Sequence, residues 1–220
     1  PLFVGFNYRF SPCALAIKSL LAEGAIGDVR SLRLIYNWNL HGKTVLTESG
    51  ERIENPRRRA RMEEGGPMVD CGVHQIDLAR WWLDSEIERQ QVAGVWVDTY
   101  EAPDHIYLHL DHVNGVHSFV EVSFSYTHTA KEPRSHFVYE LIGTDGLIRY
   151  CREEKSFELR NSRETRRMEW HEEKNFEGMY AAFASALTTG HAGNLPTGRD
   201  SIIVSRIATD TTQALIMGRC

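Results

Sequence analysis

The sequence predicts an α+β domain built on a mostly antiparallel β-sheet. Strand-like segments rich in β-branched and aromatic residues are grouped between positions 88 and 160 instead of alternating with helices. Asn114-Gly115 and Asp145-Gly146 fall between such segments as hairpin turn signals. Helical spacing is confined to the stretches before and after this meander.

Taken in order, Leu2 to Tyr8 is an apolar run suited to a buried strand. Ser11-Pro12 offers an N-cap with Pro in the first turn, and helical spacing runs from Cys13 to Ala22, ended by Gly24 and Gly27. Val29 to Trp38 alternates as a strand. His41 to Glu64 is polar and without steady period, and reads as a long loop of the kind that often carries function. Met68 to Leu83 is the clearest helix, with Val69, Val73, Ile76 and Leu83 as its apolar stripe. Strands are expected at 92–97, 105–112, 116–126 and 136–142, with shorter ones at 147–150 and 157–160. Helices at 176–189 and 199–217 close the chain.

Composition narrows the function classes. The 220 residues carry 25 basic and 30 acidic side chains, a net charge of −5, which gives no electrostatic reason to expect nucleic acid or an anionic membrane as partner. Apolar runs fall short of a membrane span, and no signal segment is visible. Cys13, Cys71, Cys151 and Cys220 are scattered, which fits reduced thiols in a cytoplasmic protein. The chain opens on Pro1 without an initiator Met and is expected to be a processed chain or a fragment.

Chemistry concentrates in Gly65 to Asp77. On a regular helix Asp70, His74 and Asp77 lie within about 60° of one another. A carboxylate four residues before a His suits proton transfer, because it orients the ring and raises its basicity. The same pattern is compatible with a capped helix whose His packs at a helix–sheet seam, or with a metal pair. Gly72 opens the adjacent surface to a ligand.

These residues also carry a resemblance. The segment is similar to the Gly-Gly-x-x-x-Asp-x-Gly-x-His-x-x-Asp signature of the glucose–fructose oxidoreductase/inositol dehydrogenase (Gfo/Idh/MocA) family, with Glu64 where the first Gly of the usual triplet stands. Val4 to Pro12 resembles that family's junction between cofactor and second domains, and Gly24 to Val29 its Gly-x-Ile-Gly-x-Val turn. The resemblance implies an open sheet with helices packed on one face, of the glyceraldehyde-3-phosphate dehydrogenase C-terminal-like type. It implies that residues 1–10 end a Rossmann domain and that 11–220 form a substrate-binding and oligomerisation domain. It also implies NAD or NADP as cofactor, a sugar, polyol or related hydroxy compound as substrate, and a homodimer or tetramer formed through the open sheet face. The catalytic base maps onto His74 and its orienting carboxylate onto Asp70.

No Gly-x-Gly-x-x-Gly follows a strand, and the family's Glu-Lys-Pro is absent, since Lys131 precedes Glu132-Pro133 in another order. The dinucleotide is therefore expected to be held by a domain outside this sequence, no residue here is assigned to it, and the isolated chain is expected to be inactive. Arg9 at the junction is a substrate candidate, against a hinge salt bridge. Trp38 and His41 are candidates for stacking on a sugar ring, against an edge-of-core Trp. The run Arg57, Arg58, Arg59, Arg61 reads as a solvated loop paired with its own acidic flanks. His105, His109 and His117 are strand histidines expected on an oligomer-facing sheet, and no metal site is expected. Two other readings stay open: a non-catalytic oligomerisation or ligand-binding module that keeps the fold, and a family variant using bound NAD for glycoside cleavage.

Overall fold

A computed structural model describes residues 2–219, so Pro1 and Cys220 lie outside the described residues. α1 (Pro12–Ala22) starts as its sequence dictates: the Ser11 hydroxyl accepts the Ala14 N–H at 3.2 Å and Pro12 occupies the first turn. The chain then enters β1 (Val29–Asn37), a small hairpin of β2 (Thr44–Leu46) and β3 (Arg52–Glu54), and α2 (Pro56–Glu63). A π-helical turn, Met68–Gly72, leads directly into α3 (Val73–Leu83). The meander follows as β4 (Ile87–Val95), β5 (His105–His112), β6 (His117–Ser123), β7 (His136–Gly143), β8 (Gly146–Cys151), β9 (Ser156–Asn161) and β10 (Thr165–Arg167). α4 (Phe176–Thr189) and α5 (Gly198–Met217) complete the order.

The main sheet has eight strands in the order β10-β9-β8-β7-β1-β6-β5-β4. β1 runs parallel to β6 and antiparallel to β7; every other neighbouring pair is antiparallel. Alternation divides each strand between two environments. Leu32, Leu34, Ile106, Leu108, Leu110, Val120, Val122, Phe137, Tyr139, Leu141, Ile148 and Tyr150 are buried in one core. α1 and α3 supply Ile17, Ile76, Leu78, Ala79 and Trp82 to it, and α5 adds Val204 and Ala208. Trp82 sets the seam by packing edge-on against Tyr139 at 5.0 Å while its indole N–H donates to the Ala14 carbonyl at 3.0 Å. The opposite face carries Arg33, Tyr107, His109, Phe119, Glu121 and Glu140, with no element of the described residues over it. This is the open, predominantly antiparallel sheet that the sequence predicts.

Several elements differ from expectation. Leu2 to Tyr8 is not a strand: it makes a single bridge between Phe3 and Thr197 and coils into a 3-10 turn at Asn7–Phe10. The stretch 41–64 is not a loop. Asn55-Pro56 is an N-cap with Pro in the first turn, the Asn55 side chain accepting the Arg57 N–H at 3.0 Å, and a helix follows. Arg58 of that helix is fully buried, donating to the Phe124 carbonyl and the Ser125 hydroxyl, whereas Arg59 pairs with Glu54 and Arg61 with Glu64 as the solvated reading predicts. Gly72 opens no surface: a Cβ there would lie 2.3 Å from the Met68 sulfur, so its role is to let the π turn pack on itself. Cys13, Cys71 and Cys151 are free and buried. No helix among the described residues is long and apolar enough to cross a membrane.

Candidate active site

His74 stands in the first turn of α3, held between two aromatic rings. Tyr8 lies 4.6 Å from it, tilted, and Phe6 5.7 Å away, edge-on. Its Nδ1 is buried without a hydrogen-bond partner. Burial, helped by the nearby Lys174 ammonium, lowers its pKa to about 4, so the imidazole is neutral at pH 7. The Lys174 ammonium also sits 5.8 Å from the centre of the Tyr8 ring.

From His74 a row of rings crosses the sheet. Tyr8 stacks on Phe137 at 6.1 Å, Phe137 meets Tyr36 edge-on at 5.0 Å, Tyr36 stacks on Trp38 at 5.8 Å, and Trp38 meets His41 edge-on at 5.1 Å. Burial pushes the Tyr8 and Tyr36 phenols well above their ordinary range, so both keep their proton at neutral pH. The Trp38 indole nitrogen, like His74 Nδ1, is buried and unpartnered. His41 has a left-handed backbone (φ 59°) that turns the chain out of the sheet. Burial, with Arg57 and Arg61 close by, lowers its pKa. Arg152, bridged to Glu173 at 2.9 Å, lies 4.9 Å over the Phe137 ring and brings a further cation to the row.

The fold separates the predicted pair. Asp70 and His74 share neither a hydrogen bond nor an ion pair; the Asp70 carboxylate lies 3.6 Å from Arg61 Nε. The cause is local. Asp70 sits in the π turn, whose wider winding breaks the 3.6-residue spacing that would stack positions 70 and 74. The expectation that Asp70 orients His74 and raises its basicity is therefore corrected: burial and a cation set this imidazole, and its pKa falls. Arg9 is corrected too. It is buried and clamps Asp77 bidentately, Nε to Oδ2 at 2.7 Å and Nη2 to Oδ1 at 2.5 Å, so it is the hinge salt bridge and not a free substrate contact. Burial pushes the Asp77 carboxyl up to about 6 against the pull of Arg9.

Trp38 and His41 do lie together, on the same aromatic row as His74. The site also contains Tyr8, Tyr36, Arg152 and Lys174, which sequence reasoning missed. Tyr8 was hidden inside an apparent strand, and Lys174 follows Glu172-Glu173 with no spacing signal.

Residues 14–149 match the GFO/IDH/MocA C-terminal domain. The chain belongs to the GFO/IDH/MocA family. Among curated relatives, D-apiose dehydrogenase from Rhizobium rhizogenes is 29% identical over 68% of this chain and 40% of its own length. Inositol 2-dehydrogenase from Acidothermus cellulolyticus is 24% identical over 81% of this chain and 47% of its own. The chain thus spans less than half the length of these GFO/IDH/MocA relatives. Among solved structures, an inositol dehydrogenase homolog from Azotobacter vinelandii, complexed with NADH and myo-inositol, superposes with a TM-score of 0.72 at 14% identity, covering 98% of this chain and 62% of that one. The likeness in fold to that structure therefore extends over nearly the whole chain, beyond the matched 14–149.

Proposed function

We propose that this chain is the substrate-side domain of an NAD(P)-dependent dehydrogenase or reductase acting on a sugar, polyol or related hydroxy compound. The buried, unpartnered Nδ1 of His74 on a neutral imidazole carries the reading. A neutral imidazole accepts a hydroxyl proton, and once protonated it returns that proton to an alkoxide in the reverse direction. Burial, with Lys174 adding to it, keeps the resting imidazole neutral, and Lys174 brings a cation to the oxygen that gains charge in the transition state. Trp38 and His41 offer an aromatic wall for the apolar face of a sugar ring. Asp70, held on Arg61 near His41, is better read as a substrate-side group than as the orienting partner of His74.

The nicotinamide group supplies hydride acceptance or donation when bound. In this reading the dinucleotide phosphates are held by a glycine-rich βαβ unit of another domain, and this chain's own share is the reacting end. A face for a cofactor domain is available. Phe176, Tyr180, Phe183 and Leu187 recur at helical spacing along the outside of α4, exposed at 55%, 65%, 37% and 56%. We assign that stripe to the packing of the dinucleotide domain, with residues 2–10 as the hinge beside it. The open sheet face, with Tyr107, Phe119 and Ile142 exposed among the ion pairs Arg33–Glu140 and Arg149–Glu154, is assigned to a second copy of the chain.

The test is His74→Gln in the full-length enzyme. The expected result is a fall in kcat of about 10²-fold or more with cofactor Kd nearly unchanged. Equal losses in both, or no loss, would overturn the base assignment. A non-catalytic module that keeps the fold is the second reading, favoured by one observation: the carboxylate that should serve the histidine is turned to Arg61 instead.

A further inference from the structure

On the open face of the sheet, away from His74, three side chains of the β5–β6 hairpin converge. His109 and Asp111 point the same way from β5 at i and i+2, and His117 of β6 is the cross-strand partner of Asp111. His109 Nε2 lies 3.1 Å from Asp111 Oδ1, His117 Nδ1 lies 2.8 Å from the same oxygen, and the two nitrogens are 3.1 Å apart. We propose that His109, Asp111 and His117 form a binding site for a divalent first-row transition-metal ion such as zinc.

The spacing is what such an ion requires. Ligand atoms about 2.0–2.1 Å from a metal are about 2.9 Å apart at octahedral angles and about 3.4 Å apart at tetrahedral ones. The observed triangle, with edges of 2.8 and 3.1 Å, has the dimensions of one face of the octahedral arrangement. Two imidazoles and one carboxylate on a face, with the outer positions open, suit zinc, nickel, cobalt or iron(II) better than the all-oxygen preference of magnesium or calcium.

The surroundings hold the ligands in place. Arg89 Nε donates to Asp111 Oδ2 at 2.6 Å, which fixes the carboxylate and leaves Oδ1 toward the two nitrogens. The His109 ring stacks on Phe119 at 4.5 Å, nearly parallel, which sets its orientation. His117 is half-exposed in the single chain, which gives an ion an entry path and leaves its outer positions to water or to a side chain of the second copy assigned to this face. Sequence spacing pointed instead to His105 with His109; the structure turns His105 to Glu121 and brings His117 across the hairpin.

The experiment is zinc titration of the chelator-stripped, untagged full-length protein by calorimetry. Wild type, His117→Ala, Asp111→Asn and the control His105→Ala are compared, each checked by circular dichroism. One equivalent of zinc is expected for wild type and the control. His117→Ala, a half-exposed position whose loss leaves the core intact, should weaken binding at least about tenfold, and Asp111→Asn should do the same. Cobalt substitution should give a visible d–d band that is lost in His117→Ala. Binding of less than one equivalent, or equal affinity in wild type and both triad variants, would overturn the proposal. The latter result would leave a hydrogen-bonded imidazole–carboxylate cluster with zinc held by other histidines.

Discussion

Arg9 and Asp77, from the start of the chain and the middle of α3, close a buried bidentate ion pair, with side chains only 7% and 1% exposed. Asp200 extends it to Arg80 at 3.2 Å, and Arg80 to Glu86 at 2.8 Å, so the junction segment is tied to α3 and the start of α5 by one charged network. A pair this deep loses much of its Coulombic gain to desolvation, which agrees with the raised pKa of Asp77. Its contribution is position more than stability. Removing one partner strands a buried charge: Arg9→Met or Asp77→Leu should each cost about 3–5 kcal/mol, while the double replacement should cost far less. Urea denaturation of the four-member cycle measures this. Additive losses would contradict it.

His74 sets one share of the pH dependence of stability, and Asp77, raised to about 6, adds a share of opposite sign that is lost as pH rises through 6. Its folded pKa is depressed from the ordinary 6.5 to about 4, so the unfolded chain binds more protons between those values. The associated stability is fully present above pH 6.5 and is lost as pH falls toward 4, by up to about 3 kcal/mol. His74→Gln should remove this share of the slope, measured as the difference in unfolding free energy between pH 7.5 and pH 4.5. An unchanged slope would show that His74 is not the group that titrates.

Arg58 anchors the segment that carries His41. Its guanidinium is fully buried and donates to the carbonyls of Asn39 and Phe124, to the Ser125 hydroxyl and to Asp98. Arg58→Met should destabilise by about 3 kcal/mol or more, because those acceptors lose their donor inside the protein. Arg58→Lys should not rescue it, since an ammonium cannot reproduce the planar fork. Chemical denaturation and proteolysis within residues 39–64 check both.

The apolar stripe of α4 gives a domain-level prediction. If a dinucleotide domain packs on it, Tyr180→Asp with Phe183→Asp should split thermal unfolding of the full-length protein into two transitions by scanning calorimetry. A single transition at the same temperature would refute the docking assignment. Both residues are solvent-facing in this domain, so its own fold is expected to persist.

For the open face, Tyr107→Lys introduces a charge on β5, within the surface assigned to a second copy. Light scattering after size exclusion should show a lower mass than for the unsubstituted protein at the same concentration. No change in mass would move the interface elsewhere.

How much of this was legible depended on whether the signal was local. Ser11-Pro12, Asn114-Gly115 and the alternating strands are local chemistry, so α1, the hairpin turn and the antiparallel meander were readable in order, and the Gly65 to Asp77 signature was readable as a resemblance. Asn55-Pro56 was equally local but was masked by the charge around it. Asp70 and His74 could not be placed from spacing, because that inference assumes a regular α-helix and the chain winds a π turn there to pack Gly72 on Met68. Residue types and their order thus determined the fold class and the presence of an acid/base candidate. Only the tertiary structure decided that Arg9 is bound to Asp77, that Lys174 and Tyr8 surround His74, and that His117 joins His109 and Asp111. The first two are meetings between distant segments, fixed by burial; the third is set by the exact register of the β5–β6 hairpin, which the turn signal alone does not specify.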